Sequence, residues 1–192
     1  MYKACKTEQS ATRQRELEQG LLAAMSSHPF DEISISDLCT QIGIPRKSFY
    51  RYFSSKEGAL HALLDHTLME IETSHLTAEE KTPLSLTKEL ERFFQDWKNQ
   101  KPLLDALNRS GLSSMLIERA VALALSNSIG TPNPPLSLEA VQQKEHTTAF
   151  LVCGLMSTIL QWHVNGYKET PNQMAQIAFR LLTQPLISEP KP

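Results

Sequence analysis

Four cations stand between residues 46 and 56 with no acid among them: Arg46, Lys47, Arg51 and Lys56. Phe49, Tyr50, Tyr52 and Phe53 are interleaved with them. Guanidinium and ammonium groups bind phosphate oxygens and read guanine edges, and phenol hydroxyls donate to phosphate. These residue types point to a polyanion, nucleic acid above all. No other group of reactive residues makes so clear a pattern. Glu72 and His75 form one E-x-x-H unit, but di-iron bundles use two such units and no second copy is present. Cys5, Cys39 and Cys153 lie far apart without a C-x-x-C. That argues against a zinc finger or a disulfide framework and fits a reducing cytosol. Paired acids, a Ser–His or Cys–His arrangement, a phosphate loop and metal-ligand spacing are all missing. No catalytic residue, metal or cofactor is therefore expected.

The background to this cluster is ordinary. The chain has 192 residues, 41% hydrophobic and 21% charged, with a net charge of −2. Residues 1–60 carry a balance of +1 and residues 61–192 one of −3, so any nucleic-acid surface must be local. No apolar run reaches about 18 residues, so no membrane span is expected, and the polar start MYKACKTEQSATRQRE has no apolar signal core. A cytoplasmic protein with no membrane partner is expected.

Several elements must position the cations. Residues 12–27 read as a helix with Leu17, Leu21, Leu22 and Met25 at helical spacing, broken at Pro29. Ser34 with Asp37 three residues on is a capping signature. The helix it starts carries Ile35, Leu38 and Ile42 and ends at Gly43, a left-handed cap. Pro45 fits the first turn of the next helix. Phe49 and Phe53, four apart, share its inner face, while Arg46, Lys47, Ser48, Tyr50 and Tyr52 look outward. Ser55 caps a long further helix, KEGALHALLDHTLMEIETSH. Two short helices joined by a tight glycine turn make a helix-turn-helix. The N-terminus of the second attracts phosphate.

The stretch FDEISISDLCTQIGIPRKSFYRYFSSKEGALHALL resembles the DNA-binding domain of the tetracycline-repressor (TetR) family of bacterial transcription regulators. The resemblance covers roughly residues 12–64, a third of the chain. It implies that Tyr50, Tyr52 and Lys56 contact phosphates and that Arg46, Lys47 and Ser48 read bases; Ser34 joins this DNA-binding set. Two positions depart from the pattern: Pro45 replaces a capping Ser or Thr, and Gly58 replaces an acidic residue.

The remainder reads as helices throughout. LSLTKELERFFQDWKNQ, PLLDALNRSG and LSSMLIERAVALALSNS are amphipathic, and GTPNPPL is a loop. A long helix runs from Ser137 to about Asn165. Its second half, AFLVCGLMSTILQW, is apolar nearly all round and should be buried on several sides. A last helix starts at Thr170–Pro171. Small side chains at Gly154, Ser157 and Thr158, with Gln161, permit close helix approach, and Leu151 and Leu155 lie on another face. With Ile177 and Leu181, these form the expected dimer interface. The resemblance implies that the last two helices pair with those of a second chain. Phe93, Phe94, Trp97 and Met115 are candidates to line a ligand pocket, with His66, Met69 and Trp162.

The expected fold is all-α: a helix-turn-helix DNA-binding domain of three helices at 1–55, a helical ligand-binding and dimerisation domain at 56–186, and a flexible tail at 187–192. The expected function is a homodimeric, ligand-responsive transcriptional regulator, a repressor. It binds a palindromic double-stranded DNA operator and is released by a small apolar or amphipathic effector. A small helical-bundle enzyme and a helix-turn-helix used for protein contacts are the alternatives.

Overall fold

In a computed structural model of the chain, the backbone is described at residues 2, 3, 5, 7–76, 85–128 and 138–183. The side chains of 74–76, 128 and 138–140 are not described, and the expected loop at 130–136, the tail at 187–192 and the His75 side chain lie outside these residues. Every named element among the described residues is a helix.

The first helix, α1 (Glu8–Met25), begins four residues before the expected start. Its cap lies in the polar leader: the Ser10 amide donates to Thr7 Oγ1 at 3.2 Å, and the Thr7 amide donates to Ser10 Oγ at 3.3 Å. This reciprocal box satisfies two amides left open by the first turn. The helix buries Leu17, Leu21 and Met25. Gly20 is required by proximity, since a Cβ there would sit 2.8 Å from Ile42 of the next helix.

A 3-10 turn at Phe30–Glu32 leads to α2 (Ile35–Gln41) and α3 (Arg46–Tyr52). Ser34 caps α2 by accepting from the Asp37 amide at 3.0 Å. Gly43 takes φ +68°, a left-handed conformation that side chains with a Cβ resist. It lets the Ile44 amide reach back to the Cys39 carbonyl at 2.9 Å, closing α2 and aiming α3 away from it. No side chain caps α3, because Pro45 stands at that position. Phe49 and Phe53 are fully buried, and truncating either to Ala should cost about 3–5 kcal/mol.

The long α4 (Lys56–Leu76) serves both halves of the molecule. Its first turns pack on α1, and its later turns meet α5 (Leu86–Asn99) and α7 (Ser113–Ser128). Between these two lies α6 (Lys101–Arg109); α8 (Leu138–Val164) packs on α7, and α9 (Pro171–Thr183) packs on α5.

Buried charges tie these helices together. Asp65, 3% exposed on α4, accepts from Nε of Arg119 on α7 at 2.7 Å, from its Nη2, and from the Tyr2 hydroxyl at 2.8 Å. Fully buried Glu18 on α1 lies 2.9 and 3.0 Å from Nδ1 of His66. Such pairs do not have to add net stability, yet removing one partner strands a buried charge and costs about 3–5 kcal/mol.

Candidate nucleic-acid interface and ligand cavity

On α3, Arg46, Lys47, Tyr50 and Arg51 are exposed, and Ser48 is half-buried. Arg46 Nη2 donates to the Tyr50 hydroxyl at 3.2 Å, and its guanidinium carbon lies 5.7 Å from the centre of that ring. The two side chains thus hold one another over the exposed face. Arg51 has no ion pair among the described residues. Beside it, Thr7, Gln9, Ser10 and Arg13 of the α1 start face Ser48 across a polar groove. The sequence reading missed the α1 side of this groove. Its signal was the Thr7–Ser10 pair, a capping box with Ser where Glu or Gln is usual.

The structure places two of the expected DNA-contact residues, Tyr52 and Lys56, in the fold rather than on the open face. Tyr52 is 8% exposed. It stands three residues after Phe49, and positions three and four apart share a helix face, so its ring joins Phe49 and Phe53 inside. Lys56 is committed to the fold. Its ammonium donates to the carbonyls of Phe30 at 2.5 Å, Asp31 at 3.3 Å and Ile33 at 2.8 Å, and lies 4.4 Å from the centre of the Phe30 ring. An ammonium has three protons to donate, and all three are used. Ser34 is exposed, but its hydroxyl also donates to Asp37 Oδ2 at 2.6 Å, so its polar capacity is largely spent on the cap.

The joint that Lys56 grips is also held from the other side. Arg109, in the last turn of α6, donates to the carbonyls of Met25 at 3.1 Å and of Ser26, capping the end of α1. The Ser110 hydroxyl accepts from the Phe30 amide at 3.0 Å. The connection between α1 and α2 is therefore bonded to α4 and to the end of α6.

A cavity of about 260 Å³ lies between α4, α5, α7 and α8. Leu68, Ile71, Phe93, Trp97, Leu155 and Met156 supply its apolar walls. Glu72 and Asn127, both exposed, stand at its rim. Of the expected pocket residues, Phe93 and Trp97 are in place. Phe94 is turned about 100° from Phe93 by the helix period and packs edge-on against Trp162, with centroids 5.7 Å apart. Trp162 in turn stacks edge-on with Tyr167. His66 belongs to the Glu18 pair, Met69 points outward at 39% exposure, and half-buried Met115 is not part of the lining. Leu155, expected at the dimer interface, lines the cavity.

Within one chain, α8 is not buried on several sides. Thr147, Phe150, Gly154, Ser157, Gln161 and Val164 form an exposed stripe, with Phe150 79% exposed. Leu151 and Leu181 are exposed as well, and Thr158 and Ile177 are half-buried. Val141–Val164 is long and apolar enough to cross a membrane by length and composition, where the sequence suggested no apolar run of that length.

Residues 20–63 match the family described as bacterial regulatory proteins, tetR family, and residues 123–184 match a transcriptional regulator C-terminal region. The chain belongs to the TetR family. Among curated relatives of this TetR-family chain, the HTH-type transcriptional regulator EthR of Mycolicibacterium smegmatis is 31% identical over 105 residues. That match spans 55% of this chain and 45% of the relative, so the chain covers less than half of that protein's length. Solved structures share the fold. The fatty acid degradation regulator FadR from Bacillus halodurans superposes with a TM-score of 0.60 at 11% identity, covering 95% of this chain and 98% of that one. The TetR family repressor AlkX from a Dietzia species, implicated in biodegradation of n-alkanes, gives 0.56 at 16%, covering 88% and 92%. FadR from Bacillus subtilis, solved with stearoyl-CoA, gives 0.53 at 14%, covering 88% and 97%.

Proposed function

We propose that the protein is a homodimeric transcriptional repressor that binds a palindromic operator and releases it when a small apolar or amphipathic molecule enters the cavity. The observation that carries the reading is the outer face of α3. Arg46, Lys47, Tyr50 and Arg51 stand exposed together, no acid interrupts them, and Phe49, Tyr52 and Phe53 fix the helix from behind. Arg46 and Lys47 would read base edges, and Tyr50 and Arg51 would hold phosphates. The exposed stripe of α8, with Leu181 of α9, supports dimerisation: its small residues allow a second copy to approach closely, and pairing would cover Phe150 and Val164.

The mechanism is a shift between two spacings of the recognition helices. Two copies of α3 must sit about 34–36 Å apart to enter successive major grooves on one side of the duplex. An effector that binds better to a wider arrangement draws the population there. Two elements could carry the change. α4 runs from the Lys56 joint to Ile71 at the cavity, and α6 ends on α1 through Arg109. The apolar cavity walls, and the stearoyl-CoA and n-alkane associations of the two structural neighbours, favour an apolar or amphipathic effector. Selection of bound duplexes from random DNA tests the reading, and a two-fold symmetric consensus is expected. Recovery of no enriched sequence would reject it and favour a module for protein contacts.

A further inference from the structure

The rim of the cavity carries a charge that its walls do not neutralise. Asn127 Nδ2 donates to both Glu72 oxygens, at 3.1 and 2.9 Å. An amide is neutral: it orients the carboxylate and leaves its negative charge in place. Among the described residues no Lys or Arg pairs with Glu72. Two other carboxylates of α4 do take a cation, Glu70 from Arg15 and Asp65 from Arg119. Inside the rim, Phe93 and Trp97 present aromatic surface, and the negative faces of such rings attract cations.

We infer that Glu72 makes the cavity selective for a lipophilic cation, an amine on an aromatic or alkyl body, and selective against a fatty carboxylate or a polyanionic acyl conjugate. The inference rests on reading this cavity as the effector site. A ligand whose apolar body fills the walls must leave its polar head at the rim. An ammonium there meets the carboxylate of Glu72; a carboxylate meets a like charge that no Lys or Arg among the described residues pairs with. The cavity volume is near the lower end of small-molecule sites, which start at about 300 Å³. This favours a single-ring or short-chain ligand.

Three probes that differ only in the head group separate the possibilities: 4-phenylbutylamine, 4-phenylbutanol and 5-phenylvalerate. Calorimetric titration should give affinities falling in that order, with about fivefold between neighbours, the scale of one partly exposed charge pair. Glu72→Gln keeps the bond from Asn127 and should bring the amine down to the alcohol; Glu72→Lys should reverse the order. Equal or tighter binding of 5-phenylvalerate to the wild type, or an order unchanged in Glu72→Gln, overturns the inference. Operator release followed in the same titrations keeps the two readings apart. If 5-phenylvalerate binds more tightly and releases operator, charge selection fails and the effector site stands. If the amine binds in the expected order without releasing operator at saturation, the effector site fails and charge selection stands. Absence of binding by all three probes overturns both.

Discussion

Lys56 shows how one side chain can be assigned from its type and then reassigned from its surroundings. As a cation beside an aromatic cluster it reads as a phosphate contact, yet its protons are taken by the carbonyls of Phe30, Asp31 and Ile33. Lys56→Ala should therefore lower folding stability by about 1.5–3 kcal/mol, the scale of a hydrogen bond to a charged group, read from the denaturant midpoint. Its operator affinity should fall without a change in salt slope. Arg51→Ala should do the reverse: unchanged stability, and a salt dependence flattened by about 0.9 in the log–log slope, the signature of one lost phosphate. A Lys56→Ala protein as stable as wild type, with a flattened slope, would restore the phosphate role. Arg46→Ala and Lys47→Ala should each cost about 1–3 kcal/mol of operator affinity, checked by titration against the selected duplex and against scrambled DNA. Tyr50→Phe should weaken the same preference less, because it loses the bond that steadies Arg46 and one uncharged phosphate contact, and leaves the Arg46 guanidinium itself in place.

At the scale of the helix, the exposed stripe of α8 makes a prediction of its own. Gly154→Arg or Ser157→Glu should convert the dimer to a folded monomer, since both positions are open to solvent in one chain and a second copy would have to bury the new charge unpaired. Sedimentation velocity checks this, and dimers in both variants would place the interface elsewhere. The helices themselves were largely legible in the sequence. Ser34, Gly43 and Pro45 carry local signals that act within a turn of themselves, so α2 and α3 could be bounded without knowing their neighbours. The start of α1 was hidden because Thr7 and Ser10 cap a first turn with no apolar stripe. The cavity was only half legible. Phe93, Phe94 and Trp97 are all large and apolar, and periodicity says which of them share a face but not which face meets empty space. That depends on α7 and α8, far away in sequence. The role of Lys56 was invisible for the same reason, since its acceptors are backbone atoms 23 to 26 residues earlier.

For the molecule as a whole, two tyrosines set an alkaline limit. Burial, with the hydrogen bond to Asp65, pushes the Tyr2 hydroxyl up to about 12, and burial likewise pushes Tyr167 up to about 12 from an ordinary value near 10. The folded state holds these protons more tightly than the unfolded chain. Their contribution is complete below about pH 10 and disappears as pH rises to about 12, because the unfolded chain ionises first. Denaturant midpoints measured from pH 9 to 12 should fall across that window, and Tyr2→Phe should make the fall shallower. A different consequence follows from the grip of Arg109 and Ser110 on the α1–α2 connection, and it concerns how such a protein can be recombined. A hybrid that took only residues 2–76 would leave the carbonyls of Met25 and Ser26 and the amide of Phe30 without their bonds, and Asp65 without Arg119. The head of this protein is therefore not a portable cassette. A crossover that preserved it would have to fall after α7, or be made with a parent that supplies the same arginines and serine.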